Sequence, residues 1–341
     1  MFTIGFLVAA YYHQPRTMIP ILISMAILAL EWCFRLLKMT IPLPQAATEI
    51  YPGDVVGITM PLPTNPLARL LWSQWRPGAH VRLTIPGIGI LQPHPFTIAS
   101  TPHEQCIRFY IRSRRGFTKK LYEKASDLGA SGYTPNLTVH FEGIYGARYP
   151  DFGNFDVVLL VASGISVTFI LPILKDLVLR TRTIQAQKRN TRCKRIGFVW
   201  IVKHRGTHPS PSKHAIVGGT SLIAAELSWF TNELSELMNK AYGLVAMRLY
   251  ITQPSTPELP PEKLADTSHV IPENLVNFVR LSPPKVTDLV EQAVDEARVM
   301  GRLGVGCCGS SRLVGEVKNA AARNLEGGIQ DIYCHAEEFG Y

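Results

Sequence analysis

The rhythm of hydrophobic positions changes twice along the chain. From Met18 to Leu37, MIPILISMAILALEWCFRLL, twenty residues are almost continuously apolar. As a helix this stretch would extend ~30 Å, the thickness of a hydrocarbon core, which predicts a transmembrane segment. Glu31 and Arg35 fall near one end beside Trp32, where long side chains snorkel to the interface, and Pro20 falls in the first turn. A buried core helix is the alternative. The shorter apolar run Met1 to Tyr12 has no basic start or clear cleavage site, so it reads as the tail of another span rather than a cleaved signal.

Between about Ala46 and Tyr149 the pattern turns to short strand-like runs separated by Pro and Gly: DVVGITM, HVRLTI, PFTIAS, IRFYIRS and LTVHFEG, with one helical FTKKLYEKA. Such spacing predicts a small antiparallel barrel. After Asn154, apolar strands alternate with helices, beginning DVVLLVA, ILPILKDLVLR, RIGFVWIV and ending RLGVGCC, LVGEVKNAAARN, IQDIYCHA. That order predicts a doubly wound parallel sheet covered on both faces. The expected division is a membrane segment over 1–40, a barrel over 46–150 and an α/β domain over 154–341, a mixed α+β and α/β class. GTHPSPSKHAIVGGTS and QPSTPELPPE, rich in turn formers, read as surface insertions.

Composition adds little to this division. Hydrophobic residues make up 46% and charged residues 18%, which excludes a disordered tail. Six cysteines without a CxxC spacing suit reduced cytosolic thiols and exclude a disulfide scaffold. The net charge of +9 admits nucleic acid, anionic lipid or phosphorylated ligands. The seven basic residues between Arg180 and Arg195, with no acid among them, read as a phosphate attractor, a lipid-facing patch or a solvated loop.

Candidate chemistry concentrates at two places. His94-Pro95-Phe96-Thr97 sets an imidazole, a flat ring and a hydroxyl at one strand end. A flavin needs such a set, and the plain alternative is a strand edge with a core Phe. About twenty residues on, Arg112-Ser113-Arg114-Arg115-Gly116-Phe117-Thr118 runs a basic strand end into a Gly-initiated helix. Free N–H groups and guanidinium groups together suit a pyrophosphate, against the alternative of a solvated charge run.

These motifs, with WRPGAH at Trp75 to His80, EGIYG at Glu142 to Gly146, VASGISVTFILP at Val161 to Pro172, WF at Trp229-Phe230, VGCCGSSRLV at Val305 to Val314 and HAEEFGY at His335 to Tyr341, resemble the flavin dehydrogenase module of fungal ferric reductases. Those are kin of the NADPH oxidases within the ferredoxin-reductase superfamily. The resemblance implies an FAD-binding barrel followed by an NADPH-binding domain. By it, Phe96 covers the isoalloxazine, Thr97 bonds flavin N5 and His94 lies near the ribityl or phosphate chain. Arg112, Gly116 and Thr118 hold the pyrophosphate, with Pro95, Phe117, Gly143 and Gly146 in the same motifs. On the nucleotide side it implies Ser163, Gly164, Ser166 and Thr168 at the phosphate turn and Cys308 and Gly309 beside the nicotinamide. Phe339 or Tyr341 would stack on the flavin. Lys203 and Arg205, after the second strand of a doubly wound fold, favour NADPH over NADH.

Two departures stand out. The family's Gly-rich loop is reduced here to Gly164, and a Cβ at a close-approach or positive-φ position costs about 1 kcal/mol, so nucleotide binding is expected to be weakened. The Pro of the CGP and EGPYG patterns is replaced by Ser310 and Ile144. His13, in AAYYHQP, resembles the last haem ligand of the family. One histidine cannot hold two haems, so haem is expected of the intact family and not of this chain alone, and no other metal site is expected. The implied protein is an integral, plasma-membrane flavoenzyme with cytosolic dehydrogenase domains, and it passes electrons from NADPH through FAD to ferric or cupric chelates. Electron delivery to oxygen and a degenerate non-enzymatic paralogue are the alternatives. No nucleic-acid partner is expected.

Overall fold

The computed structural model describes residues 12, 18–40, 43–66, 69–70, 74–130, 136–203, 226–241, 243–252, 273–325 and 331–339. His13, Arg205, Tyr341 and both Pro-rich insertions lie outside them. The first element, α1 (Met18–Thr40), has twenty-three residues. Among the described residues no helix is long and apolar enough to cross a membrane. This overturns the expected spanning helix, and with it the integral plasma-membrane placement. The physical reason lies in the charges: the uncharged part of α1, Met18 to Leu30, is thirteen residues. It extends only ~20 Å against a hydrocarbon thickness of ~30 Å.

Seven strands follow in two antiparallel sheets. One orders β5 (Cys106–Arg112), β2 (Val55–Pro61), β1 (Ala46–Tyr51) and β6 (Asn136–Leu137); the other orders β4 (Gly89–Thr97), β3 (Ala79–Ile85) and β7 (His140–Gly146). Period-two alternation explains their packing. Ile107, Phe109 and Ile111 of β5 are buried while their neighbours are half-exposed. Helix α2 (Phe117–Ala130) closes one end through buried Phe117, Leu121 and Ala125.

The second lobe is a six-stranded parallel sheet in the order β11 (Val279–Arg280), β10 (Val245–Thr252), β9 (Arg195–Lys203), β8 (Val157–Ser163), β12 (Leu303–Gly309), β13 (Ile332–Glu338). β8 is apolar from Val157 to Ala162 because both its faces are covered. Val158, Leu160 and Ala162 join the core beneath α3 (Val167–Ala186), whereas Val157, Leu159 and Val161 face α5 (Val286–Met300) and α6 (Ser311–Leu325). Helix α4 (Thr231–Lys240) lies between β9 and β10 in sequence, and one short helical turn, Glu273–Val276, precedes β11.

The basic stretch after Arg180 is largely taken up in the fold. Arg180 grips Asp151 through two nitrogens at 2.6 and 2.9 Å, and Lys194 and Arg192 flank Asp156. The lobes meet over a single apolar core, crossed by Lys175–Glu104 and Arg108–Glu233, both at 3.2 Å. Trp229, in the 3-10 turn before α4, donates its indole N–H to Pro52 O at 2.8 Å, and Phe230 packs on Tyr110 at 4.5 Å.

Candidate functional site

In an open parallel sheet, ligands gather where strand order reverses, at the carboxyl ends of the strands flanking the switch. Here β8 has β9 on one side and β12 on the other, so the reversal brings Ser163 and Gly164 beside Cys308 and Gly309. After β8 the chain makes one 3-10 turn, Gly164–Ser166, and enters α3, whose first N–H groups have no intrahelical partner. Trp200 pins the turn by donating to Gly164 O at 3.0 Å, and the Thr168 hydroxyl donates to Ile165 O at 2.9 Å.

The expected cost of the two serines is not present. Gly164 alone takes a positive φ, +52°, while Ser163 and Ser166 sit at −126° and −65°, where a Cβ is unstrained. The close approach has moved to Gly309, where a Cβ would lie 2.5 Å from Ser163 Oγ. The Ser166 hydroxyl is buried at this turn, beside the Cys308 thiol. Cys308 is fully buried, and desolvation pushes its thiol far above the ordinary range, so it stays protonated. Phe339 is tied to this end by its N–H, which donates to Gly309 O at 3.1 Å. Lys203 stands exposed at the end of β9.

On the other lobe, the β3–β4 pairing sets Thr97 opposite His80, Phe96 opposite Val81, Pro95 opposite Arg82 and His94 opposite Leu83. The His94 ring stacks on Phe117 at 4.4 Å, its Nε2 buried and unpartnered, and Phe96 lies 6.1 Å from the same ring. Gly116, at φ +58°, opens α2, and a Cβ there would meet nothing within 4 Å, so the space before the helix is clear. Thr118 shapes that entry: its hydroxyl accepts from the Arg114 N–H at 2.9 Å and donates to Arg115 O at 3.3 Å. Gly143 and Gly146 take φ of +69° and +79° in the bend of β7; a Cβ on Gly146 would lie 2.9 Å from His80 Nδ1.

One residue faces elsewhere than expected. Arg112 turns its guanidinium to the other lobe, pairing with Glu226 and lying 5.1 Å over the Trp229 ring. Sequence reading missed Glu226, for which the one available signal is an acid just ahead of the WF pair. It also gave Gly78 no role, although a Cβ there would meet the Phe169 ring of α3 at 2.8 Å. A cavity of about 260 Å³ between Trp75, Tyr149 and α3 includes none of the candidate cofactor residues.

Residues 40–149 match the FAD-binding domain family, and residues 155–209 the ferric reductase NAD binding domain family. Ferric reductase transmembrane component 1 of Schizosaccharomyces pombe is 22% identical over 99% of this chain and 60% of its own length. Dual oxidase 2 of Sus scrofa is 26% identical over 72% of this chain and 14% of its own length. The chain thus spans well under two thirds of these relatives. Ferredoxin-NADP+ reductase from Plasmodium falciparum with 2'P-AMP shares the fold, with a TM-score of 0.51 at 10% identity over 86% of this chain and 94% of that one. The matches thus give an FAD-binding domain followed by an NAD-binding domain, with distant similarity to a fungal ferric reductase and to dual oxidases. The two domain matches support FAD and NADPH as its cofactors. The residues present fit both groups: His94 Nε2 and the clear space at Gly116 suit a flavin dinucleotide, and the turn at Gly164, with its positive φ and no side chain, suits close approach of a nucleotide phosphate.

Proposed function

We propose that this chain uses NADPH to reduce FAD and delivers the electrons singly to a ferric or cupric chelate. The observation that supports the reading is that the turn after β8 meets the barrel: a Cβ on Gly164 would lie 3.9 Å from Nη1 of Arg112, at the end of barrel strand β5. NADPH supplies a hydride there, and FAD converts that electron pair into single-electron steps. The side chains orient and exclude water. Phe96 offers a flat face, and Thr97 offers a hydroxyl toward flavin N5. The N–H groups at Gly116, Phe117 and Thr118, with exposed Arg115 beside them, receive the diphosphate. Cys308, kept neutral by burial, presents a soft uncharged neighbour to the nicotinamide, and Phe339 supplies the aromatic cover.

A metal acceptor is supported by the ferric reductase NAD-binding domain match and by the fission-yeast relative that covers 99% of this chain. Oxygen as acceptor is the second reading, supported by the dual oxidase relatives. Mixing anaerobic protein with NADPH bleaches the flavin absorbance; ferric chelate then restores it faster than dissolved oxygen does. A flavin that stays oxidised defeats the reading outright, and superoxide formation outpacing iron reduction selects oxygen.

Two residue-level outcomes follow. Thr97→Ala slows flavin reduction about tenfold, the worth of one well-placed hydrogen bond, while flavin content falls little. Unchanged reduction kinetics remove Thr97 from its assigned place. Lys203→Ala lowers the preference for NADPH over NADH about tenfold, because one charge-assisted bond to the 2′-phosphate is lost. The ratio of kcat/KM for the two nucleotides reads it.

A further inference from the structure

We propose that Glu226 is a positioning residue: by holding Arg112 across the lobe boundary, it sets the register of the nucleotide-binding lobe over the flavin lobe. The inference rests on the hydride-transfer reading above and deepens it. Arg112 ends β5 of the barrel and Glu226 precedes the 3-10 turn Leu227–Phe230 of the other lobe. Their side chains are 8% and 7% exposed, whereas the Arg108–Glu233 bridge between the same lobes is 33% and 20% exposed. Burial makes the difference between a pair that steers geometry and one that water screens.

The surroundings leave the Arg112 cation little choice of partner. The Trp229 ring lies under its guanidinium, and Trp229 is itself tied to the barrel through Pro52 O. Gly53 closes from the barrel side, where a Cβ would come within 4.0 Å of Arg112 Nη2. Without Glu226 the guanidinium would be a buried charge with no counter-charge, and the lobes would separate to hydrate it. The pair does not use all its valence. Arg112 Nε and Glu226 Oε2 are both buried and unpartnered, and Oε2 lies 3.8 Å from where a Gly164 Cβ would stand. The strut therefore ends against the turn that presents the nucleotide. A small displacement of that turn changes the approach of nicotinamide to flavin far more than it changes how tightly either dinucleotide is held.

This assignment separates Arg112 from flavin retention, and that separation is testable. Glu226→Gln, Arg112→Met and the apolar double variant Arg112→Met/Glu226→Leu are compared with Glu233→Gln on the exposed bridge. The readouts are bound flavin, anaerobic flavin reduction by NADPH, and the long-wavelength charge-transfer absorbance formed with NADP+ after reduction. The expected result is full flavin content with reduction slowed at least tenfold in both single variants. kcat falls while KM barely moves, and the charge-transfer band weakens. The double variant is no slower than the slower single variant, and Glu233→Gln stays within twofold of wild type. Wild-type reduction rates in Glu226→Gln overturn the proposal. So does an Arg112→Met protein emptied of flavin while Glu226→Gln stays yellow, which makes Arg112 a diphosphate clamp instead.

If Glu226→Gln does not fold, the double variant decides by the same rates, since it buries no charge. If NADPH fails to bleach even the wild-type flavin, the functional reading falls. The strut is then judged by hydrogen exchange at Gly53, Asp54 and Leu227 to Phe230, where protection unchanged in the double variant overturns it.

Discussion

Gly78→Ala slows flavin reduction by NADPH roughly a hundredfold, the cost of misplacing reacting groups by about an ångström, and lowers the melting temperature by roughly 6 °C. Gly78 takes a φ of +79° at the entry to β3, and an added Cβ would meet three atoms of the Phe169 ring at 2.8, 3.1 and 3.2 Å. The ring cannot withdraw, because Tyr149 meets it edge-on at 6.3 Å and His335 stacks on it at 6.1 Å. Left-handed strain of about 1 kcal/mol and overpacking of about 1–3 kcal/mol add, because they act on the same contact. The displacement falls on α3 in its first turn, next to the nucleotide-binding turn. Gly315→Ala in α6, where a Cβ meets nothing within 4 Å, serves as the control and stabilises the protein by about 1 kcal/mol. A Gly78→Ala protein that melts and turns over like wild type would falsify this account of lobe docking.

Alkaline pH unfolds the protein steeply, starting near pH 9. Burial pushes the thiols of Cys307 and Cys193 up to about 12, and that of Cys308 further, whereas an exposed thiol ionises near 9.0. The native state therefore binds these protons more tightly than the unfolded chain. The stability they contribute is complete below pH 9 and is lost as pH rises toward 12. Each thiol lowers the folding equilibrium constant roughly tenfold per pH unit within that window. Urea midpoints at pH 7, 9 and 10 read the slope, and Cys193→Ala/Cys307→Ala should flatten it by about two protons. A midpoint indifferent to pH up to 10 rules the mechanism out. At the acid end the sign reverses: Arg180 holds Asp151 below its ordinary range, so that contribution is present above pH 3.8 and lost as pH falls below it.

The local framework around the candidate site was legible because its signals are local. HPFT, GFT and the turn after DVVLLVA are contiguous, and contiguity alone places an imidazole beside a ring or a glycine before a helix. The alternation of β5 and the apolar run of β8 likewise reveal which strands are covered on one face or two. The membrane expectation failed on a local signal read too generously: Glu31 and Arg35 were counted inside a span that they interrupt. The serines of the nucleotide turn were misjudged because φ is not written in residue type. Only the coordinates place the single positive φ at Gly164.

By itself the sequence determined a strand-rich half followed by an alternating α/β half, since strand period and turn chemistry belong to neighbouring residues, and the flavin and pyridine nucleotide were implied by the resemblance of its contiguous motifs. Tertiary structure alone decided which charge Arg112 answers to, because Glu226 stands 114 residues away. It also decided that Gly78 has to leave room for Phe169. Both are consequences of how the two lobes pack on each other, and buried electrostatics and hard contact act through distance in space rather than along the chain.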